Sequence, residues 1–199
     1  MRKGSNSTDL LRCFCFRPDT FGSLRNPATW CGIVGFRPTP GLVAREKRGL
    51  NYTHFSVQGP MAKTVDDVAL MMDGLVGFDG RDPMSIVPDT ENFCQLKAID
   101  LSELRVGWTP DFSGKAPLDN GIRKTFINCI DAMEGLFYTF NECEFGLDNV
   151  RNGLWTLRCQ YYLANHLGRV RQHRKLLSKN IVANVEAGLN MSLLDGANA

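Results

Sequence analysis

A serine preceded by glycine, in a polar stretch prone to turn, is the first place in this chain where residue types and spacing suggest chemistry. The stretch is Asp19-Thr20-Phe21-Gly22-Ser23-Leu24-Arg25-Asn26-Pro27-Ala28, with an echo at Gly59-Pro60-Met61-Ala62. A nucleophilic serine must stand clear of regular structure, with free backbone N–H groups beside it to receive a developing oxyanion. Gly22 can adopt positive φ and lets a substrate approach closely. Asp19 and Arg25 flank the serine almost evenly and can clasp the turn with charge-assisted hydrogen bonds. Pro27 pushes Asn26 toward extended geometry and delays a helix start. On chemistry alone, a Gly-Ser pair in a polar loop is more often a plain turn.

The wider pattern separates these readings. Asp19 to Ala28 resembles the core of the amidase signature family, whose members carry an Asp-x-Gly-Gly-Ser-Ile-Arg-x-Pro-Ala run. Trp30-Cys31-Gly32-Ile33-Val34-Gly35-Phe36-Arg37-Pro38-Thr39, Gly41 and Ser56-Val57-Gln58-Gly59-Pro60-Met61-Ala62-Lys63-Thr64 continue the likeness. Gly77-Phe78-Asp79, Arg81-Asp82-Pro83 and Ser85 follow in the family's order. The likeness is dense over residues 17–87 and thinner beyond. It implies a partial amidase signature domain over 17–199, behind a non-matching segment 1–16.

In that family the serine is activated by a relay through a second serine, in a cis peptide, to a lysine. By resemblance, Ser23 matches the catalytic nucleophile. The backbone N–H groups of Thr20, Phe21, Gly22 and Ser23 match the oxyanion hole, and Asp19 and Arg25 match the residues that brace the loop. The implied reaction is hydrolysis of a linear carboxamide through an acyl-enzyme, with neither metal nor cofactor. Two departures stand out. Phe21 occupies a position that the family usually gives to glycine. The relay's serine and lysine fall upstream of any position here, and Lys3, Lys47 and Lys63 do not sit in that lysine's motif. Loss of such a base costs a serine hydrolase several orders of magnitude in rate. The expectation is therefore an incomplete amidase, inactive as this chain. Two alternatives stand beside it: a non-catalytic remnant acting as an interaction module, and a protein like the glutaminase-type subunit of the tRNA-dependent amidotransferase. Residues 42–58 do not resemble the latter's run before its Gly-Pro.

Composition sets the outer bounds. The chain has 199 residues, 43% hydrophobic and 22% charged, with a net charge of +2. That is an ordinary globular make-up with no reason to expect nucleic acid or an anionic membrane as partner. No apolar run approaches the length of a membrane helix. Seven cysteines at scattered positions lack zinc-site spacing and read as reduced thiols of a cytoplasmic protein. A small-molecule amide is the expected partner, with a homodimer left open. Cys31 reads as a small buried apolar residue. His54, His166 and His173 read as ordinary residues, not bases.

The elements that must position these residues follow from pattern. Gly32 to Phe36 reads as a short buried strand and Val57 to Met61 as extended chain. Between them, Arg45, Lys47 and Arg48 read as a solvated loop. Thr64 begins a helix, with Asp67 in capping-box position, an apolar face of Val65, Val68, Met72, Leu75 and Val76, and Gly77 closing the far end. Leu104 to Trp108 reads as a strand. Asp119 caps a helix with Ile122, Phe126, Ile130, Met133 and Phe137 on its apolar face, and Tyr138 to Phe145 reads as a second strand. This order argues for an α/β sandwich with a mixed central sheet, incomplete at this length. Residues 148–167 and 169–189 read as helices, with Arg169, Arg171, His173, Arg174, Lys175 and Lys179 on a wet face. Asp195 to Ala199 shows no final packing element.

Overall fold

The computed structural model describes residues 15–199 other than 51, 90, 91, 96, 97, 145 and 149. Readings that concern residues 1–14 and Phe145 lie outside the described residues. The chain divides into two compact units, residues 1–96 and 97–199.

The first unit is built on a three-stranded antiparallel sheet, ordered β1 (Cys15–Asp19), β3 (Val57–Ala62), β2 (Val34–Gly35). Its register sets Asp19 opposite Val57 and Pro18 opposite Gln58, so the end of β1 delivers the serine loop beside Ser56. Cys15 and Phe16 already belong to β1. The strand read over Gly32 to Phe36 shrinks to two half-buried residues. Helix α1 (Arg25–Cys31) follows the serine directly. The buried Leu24, just before it, and Ala28 within it pack on Met61. At Gly59 a β-carbon would stand 2.3 Å from the Phe36 carbonyl oxygen, so only glycine lets these backbones approach.

Helix α2 (Val65–Leu75) starts as its sequence requires: the Thr64 hydroxyl accepts the Asp67 N–H at 3.1 Å. Val68 and Met72 form a core with Val43 and Ala62. Two expectations for α2 are corrected. Val65 is 59% exposed, because the first turn rises off the core. Gly77 is not the cap: Val76 is extended, and the Gly77 N–H goes to the Leu42 carbonyl at 3.4 Å.

The second unit contains two parallel strands, β4 (Arg105–Trp108) and β5 (Thr139–Glu142), joined by helix α3 (Asn120–Asp131). The Asp119 carboxylate accepts the Gly121 N–H at 2.8 Å and the Ile122 N–H at 3.4 Å, which caps α3. Phe126 and Phe140 pack against Trp108, while Ile122 is exposed. Helix α4 (Val150–His173) runs through Gly168 without a break, so the expected division near 168 moves to residues 174–178. Ser178 caps α5 (Lys179–Leu189), and the hairpin is locked by fully buried Cys159 and Val185. The basic residues of 169–179 do lie on its exposed side. A short helix α6 (Leu193–Ala197) with a Ser192–Asp195 capping box closes the chain, where none was expected from sequence.

Helices and small sheets of both senses make this an α/β fold. Among the described residues the strands form two separate sheets, not one. No helix among them is long and apolar enough to cross a membrane.

Candidate active site

The serine loop is held from below by one carboxylate. Asp19 is fully buried. Its Oδ1 accepts the Gly22 N–H at 2.6 Å, and its Oδ2 accepts the Arg25 Nε–H at 2.9 Å. Arg37 donates to the Asp19 carbonyl at 3.4 Å and to the His54 carbonyl at 3.0 Å. Burial raises the Asp19 pKa, but the hydrogen bonds from Arg25 and Gly22 and the Arg25 charge outweigh it, leaving the carboxyl below its ordinary value. Asp19 is thus a fixed anion around which the turn is wound.

Gly22 has φ of +96°, in the region where a side chain is strained. Its carbonyl accepts the Asn26 N–H at 2.8 Å, which carries the turn into α1. This leaves Ser23 exposed, at an open pocket of about 540 Å³ between Arg17–Pro18, Thr20–Ser23 and Asn26–Pro27. The Phe21 ring lies 6.0 Å from that of Phe55. Of the four N–H groups read as oxyanion donors, that of Gly22 is turned inward to Asp19. Among the described residues, the Ser23 hydroxyl has no hydrogen-bond partner.

Sequence reasoning missed the layer behind this loop. Arg45 and Arg48, read as solvated, are built into the first unit, and Lys47 alone of the three is exposed without such ties. Arg48 grips Asp82 bidentately, at 2.8 and 2.7 Å, and both side chains are almost wholly buried, at 5% and 1% exposure. Asp82 also accepts the backbone N–H groups of Arg45 and Met84. The pull of burial on Asp82 is again outweighed by its hydrogen bonds, chiefly from Arg48, and its pKa lies below the ordinary value. Arg48 donates to the Ser56 carbonyl at 3.0 Å, and the Arg45 guanidinium donates to the Ser56 hydroxyl. Ser56 is buried, and its hydroxyl meets that of Thr20 at 3.3 Å. The sequence signals for this layer were Ser56, which opens a family-like run, and Arg81-Asp82-Pro83, which follows in family order; neither pointed to Arg45 or Arg48. Ion-pair partners 34 residues apart leave no local pattern.

One further expectation is corrected, that for Cys31, while the histidines lie at the surface or half-buried as read. Cys31 is exposed, beside a Trp30 that is 90% exposed, because α1 buries only the face carrying Ala28. His54 is exposed, and His173 ends α4 in solvent. His166 is half-buried on α4. Its Nδ1 is buried with no partner among the described residues. Burial and then the Arg169 charge lower its pKa.

Comparison with known proteins identifies the family. The Amidase family model matches residues 18–190, and the chain belongs to that family. It is 36% identical, over 129 residues, to a glutamyl-tRNA(Gln) amidotransferase subunit from Methanosarcina acetivorans, covering 65% of this chain and 27% of the relative. It is 30% identical, over 138 residues, to an acylamidase of Rhodococcus erythropolis, covering 69% of this chain and 29% of that one. A bacterial aryl acylamidase of the amidase signature family has the same fold, with a TM-score of 0.80 at 22% identity over 93% of this chain and 40% of that one. The corresponding glutamyl-tRNA(Gln) amidotransferase subunit from Thermotoga maritima superposes with a TM-score of 0.56 at 21% identity, covering 93% of this chain and 39% of that one. The matched region is thus just over a quarter of the curated relatives' length.

Proposed function

We propose that this chain carries the acyl-transfer part of an amidohydrolase site, with Ser23 as nucleophile toward a linear carboxamide. The observation that supports it best is the loop: an exposed serine behind a positive-φ glycine, wound on the buried Asp19 anion and opening on a pocket. In the reaction, Ser23 Oγ bonds to the carboxamide carbon and the C–N bond breaks. The serine proton leaves on the departing amine or ammonia, and water then cleaves the ester. Donors beside Ser23 would stabilise the oxyanion, from the backbone of Thr20, Phe21 and Ser23. Asp19 and Arg25 brace the loop. The Gly22 N–H, held by Asp19, would serve only after exchanging partners.

A serine hydroxyl needs a base, and none is hydrogen-bonded to Ser23 among the described residues. The chain by itself is therefore proposed to react with a strong electrophile but not to turn over an unactivated amide. The test is intact-mass analysis after treatment with a fluorophosphonate. One phosphonyl adduct, mapped to Ser23 and lost in Ser23→Ala, is expected, with no detectable release of ammonia from simple carboxamides. An unreactive Ser23 would sink the nucleophile reading and leave the non-catalytic, interacting module. A second reading, ammonia release from glutamine, draws on the 36% identity to one component of an amidotransferase. Glutamine-dependent ammonia release with a partner present, and no reaction with other amides, is what it requires.

A further inference from the structure

Positive charge outweighs negative around the serine loop. Among the described residues, Asp19 is the carboxylate that the loop's arginines engage: Arg25 pairs with it at 2.9 Å, and Arg37 approaches it at 3.9 Å. A single negative charge thus faces a pair of guanidiniums. Arg45, behind the loop, donates to the neutral Ser56 hydroxyl, and among the described residues no carboxylate meets its side chain. Arg48 and Asp82 cancel each other as a buried pair. Arg17 is the remaining cation, exposed at the pocket that it lines together with Ser23. Among the described residues its guanidinium has neither a hydrogen bond nor an ion pair. Every other residue of the pocket wall is uncharged.

We infer that the site selects carboxamides that also carry a carboxylate, and that Arg17 is the residue that reads it. The inference rests on the nucleophile reading above and names its substrate class. A guanidinium stays charged at any working pH and offers a planar fork of N–H donors that matches a carboxylate. The unbalanced positive field draws an anion toward the pocket. Because the pocket is open, salt screens that attraction. Arg17 stands on β1, opposite Gly59 of β3, so its backbone is fixed relative to the loop that β1 delivers. Arg17 is then a specificity-determining residue, holding the substrate away from the reacting carbon.

The test compares fluorophosphonates of equal chain length that end in a carboxylate, a hydroxyl or a trimethylammonium group. The readout is the second-order rate of Ser23 labelling in the wild type, Arg17→Gln and Arg17→Lys. The wild type should label about five- to ten-fold faster with the carboxylate probe than with the hydroxyl probe, and slowest with the trimethylammonium probe. Arg17→Gln should lower the carboxylate-to-hydroxyl ratio by about five-fold, the scale of one exposed charge pair. Arg17→Lys should keep part of the preference, since it holds the charge but loses the fork. Raising salt from about 0.05 M to about 0.5 M should shrink the wild-type ratio. Equal wild-type rates with the carboxylate and hydroxyl probes overturn the inference. A preference that survives Arg17→Gln, or a loss that falls on both probes alike, overturns the role of Arg17. If no probe labels Ser23, the nucleophile reading fails first and this inference with it. Labelling at Ser23 that is indifferent to the probe's charge defeats this inference alone.

Discussion

Replacing Asp19 should do more damage than replacing the arginine that faces it. The carboxylate makes two kinds of contact. The Gly22 N–H bond, at 2.6 Å and buried, belongs to the class of hydrogen bonds to charged groups, and we take it at about 2 kcal/mol. The Arg25 pair has a guanidinium side chain 54% exposed, so solvent screening reduces it to about 0.5 kcal/mol. Asp19→Ala should therefore cost about 2.5 kcal/mol, a shift of about 1 M in the urea midpoint at a slope of about 2 kcal/mol/M. Asp19→Asn keeps an oxygen for Gly22 but loses the charge, and should cost about 1 kcal/mol. Arg25→Ala should cost only about 0.5 kcal/mol, because Gly22 and Arg37 still face the carboxylate. The pH dependence follows from the sign. Asp19 lies below the ordinary 3.8 when folded, so the unfolded state binds the proton more readily. Its contribution is complete above 3.8 and is lost as pH falls through the folded value. Urea unfolding of the three variants, at neutral pH and near pH 3, measures all of this. Equal costs for Arg25→Ala and Asp19→Ala would refute the reasoning, since the turn would then hang on its surface pair.

Three further outcomes are expected. Arg48→Ala should destabilise by about 3–5 kcal/mol, because it strands the buried Asp82 charge. Arg48→Lys should recover only part of this, since an ammonium cannot make the bidentate grip; urea midpoints decide both. Thr64→Ala should cost about 1 kcal/mol by removing the α2 cap, while Val65→Ser should stay within about 0.5 kcal/mol because Val65 faces solvent. His166 should titrate by NMR with a midpoint below the ordinary 6.5. The unfolded chain then binds the proton first, so stability should rise with pH from the folded midpoint to 6.5, and His166→Asn should flatten that rise.

What could be read from the sequence was what is local. The Thr64 and Asp119 caps are set by residues two or three positions apart, and both formed as read. The strand–helix–strand order of 104–142 produced its parallel pair, because a helix is the short route between parallel neighbours. The serine loop was legible through its motif, down to Asp19 and Arg25. Misreadings arose where a distant partner decided. Arg45 and Arg48 look like loop charges until Asp82 and Ser56 arrive from far along the chain. Cys31 looks buried beside Trp30 until the short α1 turns both outward. Gly77 looks like a helix cap until Leu42 takes its N–H.

Asp19, Arg25, Arg37, Arg45 and Ser56, whose contacts hold the serine loop and the layer behind it, lie within Cys15 to Ala62. These contacts are made within the first unit. A general base would be a separate contribution, and Ser23 touches none among the described residues. Shape and proton transfer therefore come apart in this chain, and so must their measurements. Electrophile labelling at Ser23 reads loop geometry and donor placement, whereas amide turnover reads those and the base together. A base added in trans, such as imidazole in millimolar excess, should then speed labelling of the wild-type chain and leave the ratio between wild type and Asp19→Asn, whose effect is on loop geometry, unchanged. A ratio that collapses under added base would mean that Asp19 assists proton transfer from Ser23 and does not only shape the loop.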